Sequence, residues 1–214
     1  MTNFFIKIFC WINNFSYKIL SFLAIRENDG IHPKHKILNY HQFFLDNISA
    51  NDIVLDIGCG NGLVDIDLAN KAKQIIGIDI NKLNIEKAQK NCNKPNIKYI
   101  CADATAYDFK EKIDSIILSN VLEHIENRVD FLKKISKLSP KILVRVPLLT
   151  RDWLVIYKME KKLEYRLDRT HYIEYTEEEF KKEIEKASIK LERISVKFGE
   201  IYAVCASNIS LQQK

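Results

Sequence analysis

Three of the six glycines in this 214-residue chain stand at Gly58, Gly60 and Gly62, and that clustering constrains the fold more than any other feature. They follow Asp52-Ile-Val-Leu-Asp56, a short apolar, β-branched run that ends in an acid, and they precede a stretch of helical periodicity over 63–70. Glycine lets the backbone turn sharply and lets a ligand approach closely. A strand, a glycine loop and a helix in succession open a unit whose ligand sits beyond the carboxyl end of the strand. Four more runs have the same strand character: Gln74-Ile-Ile-Gly-Ile-Asp79, Asn96-Ile-Lys-Tyr-Ile-Cys101, residues 113–119 and residues 141–146. Helical periodicity returns between them at 82–91 and 128–138. Strands alternating with helices predict right-handed crossovers and a parallel sheet.

The end of the chain breaks that rhythm. Thr176-x-x-Glu179 is a capping box, which starts a helix running to about Ala187. Residues 191–198 and 200–206 then alternate in polarity on either side of Gly199. So tight a connection makes these two strands antiparallel. The expected fold class is therefore α/β: a doubly wound, mostly parallel sheet that finishes in a C-terminal antiparallel hairpin.

Composition narrows the partners. Net charge is +5, but the 33 Lys and Arg are spread along the chain. No basic cluster interleaved with aromatics marks a nucleic-acid groove, so nucleic acid is not expected as a partner. The five cysteines are odd in number and form no C-x-x-C, which argues against a disulfide framework and a zinc site. A reducing, cytoplasmic setting is the simplest home.

The N-terminus, from Met1 to Ile25, is rich in large apolar residues, among them Phe4, Phe5, Phe9, Trp11, Ile12, Leu20 and Leu23. Asn3, Lys7, Asn14, Lys18 and Ser21 interrupt it at helical spacing and mark one polar face. No unbroken apolar run reaches the roughly 20 residues of a membrane span. A basic leader region and a small-residue cleavage site are both lacking, which disfavours a signal peptide. Two readings stay open: a helix packed over the domain as a lid, or a helix in peripheral contact with a membrane through residues 1–25. A second helix reads from 33 to 47, with Pro33 in its first turn. The expected organisation is an N-terminal helical region over 1–48 and an α/β domain over 49–210. Within the domain, residues 148–175 form an insertion.

The glycine loop has two possible ligands. A nicotinamide cofactor calls for G-x-G-x-x-G and puts a pyrophosphate on the helix N-terminus. Here the spacing is G-x-G-x-G and Asp56 stands just before it, where a carboxylate repels a pyrophosphate and suits an ammonium group. Asp79, closing the second strand, is placed for ribose hydroxyls. An NAD-dependent oxidoreductase is thereby disfavoured.

Asp56-Ile-Gly-Cys-Gly-Asn-Gly62, Gly77-Ile-Asp79, Cys101-Ala-Asp103-Ala and Ser119-Asn-Val-Leu-Glu-His124 together resemble the successive motifs of the class I S-adenosylmethionine-dependent methyltransferases, in their small-molecule branch. The resemblance covers roughly 51–206, and the closing hairpin matches the family's seven-stranded sheet. It implies S-adenosylmethionine as cofactor. Asp56, Gly58, Cys59, Gly60 and Gly62 would hold its methionine end and Asp79 its ribose, with Ile80 also among the cofactor-binding residues. Asp103 would meet the adenine amino group, with Ala104 beside it, and Asn120 would line the pocket below the methyl group. For Asp103 the alternative is a helix N-cap. A pseudo-enzyme that binds the cofactor without turnover is the other class kept open.

Such a cofactor carries an electrophilic methyl group, so the protein's task is alignment. A hydroxyl acceptor also needs its proton removed. The expected reaction is methyl transfer to a small-molecule acceptor, a hydroxyl of a metabolite, sugar or lipid-linked glycan precursor. Candidate catalytic residues are His171, supported by Tyr172 or Asp168 in the long 148–175 segment, and His124 after the fourth strand. Glu123, His124 and the distant His171 also resemble part of a divalent-metal set used by some methyltransferases. Asn120 stands where one such group has a further Glu, so that set is incomplete and no metal is expected. His32, His35 and His41 have no assigned role, and a helix-surface place is the expectation for His41.

Overall fold

The computed structural model describes residues 2–92 and 94–207. Met1, and residues 208–210 of the expected α/β domain, lie outside the described residues. Seven strands form one sheet: β1 (Ile53–Ile57), β2 (Gln74–Asp79), β3 (Ile97–Cys101), β4 (Ser115–Ser119), β5 (Lys141–Pro147), β6 (Lys190–Lys197) and β7 (Glu200–Ala206). Their order across the sheet is β3-β2-β1-β4-β5-β7-β6. The first five pair in parallel, while β7 runs antiparallel to both β5 and β6. The expected mostly parallel sheet with its closing hairpin is what forms.

Strand periodicity explains how both faces become core. Successive side chains point to opposite faces. On β7, Ile201, Ala203 and Cys205 join one apolar cluster, while Tyr202 and Val204 join the other. On β4, Ile116 and Leu118 face the first cluster and Ile117 the second. Strands buried on both faces read as continuous apolar runs, as these do. Edge strand β6 is mostly exposed and carries Lys190, Glu192, Arg193 and Lys197, charges that discourage edge-to-edge pairing.

Among the described residues, eight α-helices accompany the sheet: α1 (Thr2–Glu27), α2 (Lys34–Leu38), α3 (Tyr40–Asn47), α4 (Leu63–Leu68), α5 (Lys82–Asn91), α6 (Arg128–Ile135), α7 (Trp153–Glu160) and α8 (Glu177–Lys186). The capping box stands at the start of α8, with Thr176 and Glu179 bonding reciprocally. The single helix expected over 33–47 is two. Asn39 takes φ 46°, in the left-handed region that Asn tolerates, and divides α2 from α3. This break lets Tyr40 Oη pair with His35 Nδ1 at 2.7 Å and sets the Tyr40 ring 3.7 Å from the Arg145 guanidinium. Arg145 in turn donates to both Glu200 oxygens, at 2.5 and 2.6 Å, and so ties β5 to β7.

α7 and a short 3-10 turn at Leu149–Arg151 give the 148–175 insertion its own structure. Asp152 starts α7 by accepting from the Leu154 N–H. The insertion returns to the sheet where Leu148 bridges Tyr175. His41, expected on a helix surface, is mostly buried and its Nδ1 meets Asp67 Oδ2 at 2.6 Å.

Candidate active site

Strand order reverses between β1 and β4: β2 and β3 extend to one side, β4 and β5 to the other. Such a switch point opens a crevice at the strands' carboxyl ends. A cavity of about 650 Å³ lies there, and Gly58, Gly60, Asp79, Ile80, Asp103, Ala104, Asn120, His124 and Tyr172 all line it. Nine residues singled out from sequence are thus brought together.

The glycine loop is shaped to admit a ligand. Gly60 has φ +57°, and a Cβ there would meet no atom within 4 Å. Gly58 has φ +70°, and its Cβ would come within 2.6 Å of the Val121 side chain. Asp79 holds the loop in place: Oδ2 accepts from the Gly60 N–H at 3.0 Å and Oδ1 from the Asn81 N–H at 2.7 Å. Asn120 has φ 56° and its buried Oδ1 has no partner. Asp103 Oδ1 accepts from the Thr105 N–H and hydroxyl, so the turn-capping geometry is present in a residue that also faces the cavity.

Asp56, Cys59 and Gly62 do not line the cavity. Asp56 and Cys59 are buried behind the loop, and Gly62 packs against Tyr99, whose hydroxyl would lie 2.4 Å from an added Cβ. Asp56 belongs to a buried acid cluster that sequence reasoning missed. Asp65, on α4, is fully buried with no partner on either oxygen. Burial, then the neighbouring Asp65 carboxylate, raises Asp56 well above the usual carboxylate range. Burial pushes Asp65 up to about 7.

A raised carboxylate favours the folded state below its unfolded pKa, near 4, and loses that contribution as pH rises through its folded pKa, near 7. Asp65→Asn removes the titrating group at nearly constant shape. It is expected to stabilise the protein by about 2 kcal/mol at pH 8, about 5 °C in Tm, and far less at pH 4. Thermal unfolding of both proteins across that range checks it; a pH-independent difference would remove the assignment.

The two candidate catalytic histidines meet edge to face, with ring centroids 4.7 Å apart. His124 lines the cavity; His171 lies behind it, buried. Each is oriented by a partner. His171 Nδ1 meets Glu174 Oε1 at 3.1 Å. Burial alone would raise Glu174, but hydrogen bonds from His171, the Leu167 N–H and Arg151 outweigh it and hold Glu174 low. An ionised carboxylate only accepts, so His171 carries its proton on Nδ1. Thr170 Oγ1 donates to Asp168 Oδ1 at 2.9 Å and lies 3.0 Å from His124 Nδ1. The hydroxyl's one proton is committed to Asp168, so His124 also carries its proton on Nδ1. The Nε2 of each is left free of these contacts. Desolvation, then the neighbouring His171, lowers His124 and favours its neutral form. Asp168 thus supports His124 through Thr170, and Glu174 is the residue that orients His171.

Glu123 is fully buried, with neither oxygen partnered. Glu123, His124 and His171 each offer a ligand atom within 4.8 Å of the others. The chain separation that made this set look remote in sequence is closed by the insertion, where the Tyr172 N–H donates to the Glu123 carbonyl at 2.7 Å.

Residues 55–140 match the family model described as a methyltransferase domain. A ubiquinone biosynthesis O-methyltransferase of Bradyrhizobium diazoefficiens is 36% identical over 103 residues, which is 47% of this chain and 41% of that protein. An (S)-coclaurine N-methyltransferase of Papaver somniferum is 39% identical over 95 residues, 42% of this chain and 27% of that protein. The matched segment thus spans less than half the length of these relatives. Among solved structures, a methyltransferase of Haloferax volcanii in complex with the activator Trm112 superposes with a TM-score of 0.68 at 12% identity, covering 86% of this chain and 95% of its own. Magnesium protoporphyrin IX methyltransferase of Synechocystis, solved with bound S-adenosylhomocysteine, gives 0.63 at 17% identity, covering 81% and 82%. Residues 55–140 thus match the methyltransferase-domain family, and the glycine loop and seven-stranded sheet give the chain the fold of these methyltransferases.

Proposed function

We propose that this protein transfers a methyl group from S-adenosylmethionine to a small-molecule acceptor. The cavity at the strand switch point carries the reading, because its open glycine cradle and the unpartnered Asn120 acceptor fit such a cofactor. The space at Gly60 admits a ligand against the backbone. Unpartnered Asn120 Oδ1, on the cavity wall, is an acceptor suited to an ammonium or amine donor. Asp79 would take the ribose hydroxyls and Asp103 the adenine amino group, while Ile80 and Ala104 line the cavity beside them. When bound, the cofactor supplies a methyl group already activated as a sulfonium. The chain's own residues must orient the acceptor and remove its proton.

His124 stands where it can do so, with its Nε2 free of the Thr170 contact and Tyr172 lining the same cavity. That arrangement favours a hydroxyl acceptor, on a metabolite, a sugar or a lipid-linked precursor. The O-methyltransferase among the relatives supports the same choice. Calorimetric titration with S-adenosylmethionine and S-adenosylhomocysteine is expected to give micromolar binding. Well-folded protein that binds neither would overturn the proposal.

A second reading rests on Glu123. A buried, unpartnered carboxylate beside two imidazoles fits a divalent transition-metal ion. Glu123, His124 and His171 would hold it, and it would orient and acidify an acceptor hydroxyl.

A further inference from the structure

The expected alternatives for α1 were a lid and a membrane-surface helix. No residue of 2–48 lines the cofactor cavity. α1 is instead fastened to the insertion through its polar stripe. Lys158 Nζ meets Asn13 Oδ1 at 2.8 Å and Asn14 Oδ1 at 2.7 Å, and Asn14 Nδ2 donates to the Glu164 carbonyl at 3.0 Å. Farther along, Ser21 Oγ pairs with His32 Nε2 at 3.0 Å. Cys10 is the one buried residue described in the helix. Cys10, Asn14 and Ser21 are separated by four and seven residues, so they share one face.

The opposite face follows from the same spacing: Phe5, Phe9, Ile12, Ser16, Ile19 and Leu23, with Leu20 beside them. All six apolar members are exposed, Phe9 by 65% and Leu20 by 66%. Phe4, Trp11, Phe15 and Phe22 on the flank are exposed as well. A helix that docks by its polar side and presents its apolar side outward is inverted relative to an ordinary surface helix. So large an apolar patch calls for an occupant.

Charge says which occupant. Lys7, Lys18 and Arg26 lie on α1, and its first acid is Glu27. Behind the helix, a second cavity of about 710 Å³ is lined by Lys7, Lys18, Arg151, Lys158, Arg166 and Arg169 among others. Arg151 is paired to Glu174, Arg166 and Arg169 to Glu164, and Lys158 is held by the Asn13 and Asn14 amide oxygens, which leaves Lys7 and Lys18 as exposed cations with no such partner among the described residues. On α1, aromatic and aliphatic groups with flanking cations and no acid before Glu27 match the interface of an anionic bilayer.

We infer that α1 lies along the surface of an anionic membrane, its outward face in the headgroup–acyl boundary and its cations on lipid phosphates. Length and composition alone would let α1 cross a membrane. Its mounting opposes that, since a crossing would carry the Asn13, Asn14 and Lys158 contacts into hydrocarbon. This inference does not depend on the cofactor or on the reaction.

The test is flotation of the full chain with vesicles of phosphatidylcholine alone, or of phosphatidylcholine with phosphatidylglycerol. Strong flotation is expected only with the anionic vesicles, and it should weaken with salt. The double variant Phe9→Glu, Leu20→Glu changes two exposed side chains, so its circular dichroism should match the parent while flotation is lost. Lys7→Ala with Lys18→Ala should weaken anionic binding about 30-fold, at about 1 kcal/mol per charge. Flotation absent with both vesicles, or unchanged by the Glu variants, would overturn the inference. So would a dimer that the Glu variants dissociate in the absence of flotation, which would make a second copy the occupant. Resistance to alkaline carbonate extraction would replace the surface-lying helix with a span.

Discussion

Asp79→Ala is expected to weaken S-adenosylmethionine binding by at least about 100-fold, with the protein still folded. Two hydrogen bonds from ribose hydroxyls to a charged acceptor are worth about 1.5–3 kcal/mol each, and the variant loses both. It also releases the Gly60 N–H, the contact that holds the glycine cradle open. Asp79→Asn keeps one carbonyl oxygen for Gly60 and should fall between parent and Ala. Titration calorimetry reads all three proteins directly. An Ala variant that binds within about threefold of the parent would break the assignment of Asp79, and with it the placement of the cofactor across β1 and β2.

His124→Ala is expected to lower kcat by about 10²–10⁴-fold while leaving cofactor affinity nearly unchanged, the effect of removing a general base. Thr170→Val should give a smaller loss, because it removes only the partner that sets the His124 tautomer. His171→Ala separates the two proposed readings. If His124 is the base, His171 acts on it from behind, and its loss should leave a reduced but pH-shifted rate. If the pair holds a cation with Glu123, then His171→Ala and Glu123→Gln should both abolish stoichiometric metal in the purified protein, measured by elemental analysis. Unchanged kcat in His124→Ala would exclude it from either role.

Much of this was legible in local pattern. The motif from Asp56 to Gly62 and the acid at Asp79 are read from contiguous residues, and the structure seats the loop at the cavity's edge. The Thr176–Glu179 capping box is local too, and so is the hairpin around Gly199. What could not be read depends on residues far apart in sequence. Asp65 looks like an ordinary first-turn acid of α4; only packing buries it near Asp56. Glu174 stands three residues from His171, a spacing that signals a pair only once the segment is known to bend back. Thr170 and Asp168 orient His124 from 46 and 44 positions away. Both faces of α1 are visible in its spacing, but which one meets the protein depends on Lys158 and Glu164, more than a hundred residues later. The split at Asn39 is likewise invisible, because Asn is compatible with both a continued helix and a left-handed turn.

The position of β7 has a consequence for how the chain is made. It is last in order along the described chain, yet it sits inside the sheet, between β5 and β6. During synthesis β5 therefore waits as a bare, apolar edge until residues 200–206 have emerged from the ribosome. An unpaired edge of that kind invites pairing with other chains. Premature termination anywhere before Glu200 would leave that edge permanently open, so truncated products should aggregate rather than persist as soluble fragments. The nascent chain spends its most vulnerable interval one hairpin short of a closed sheet.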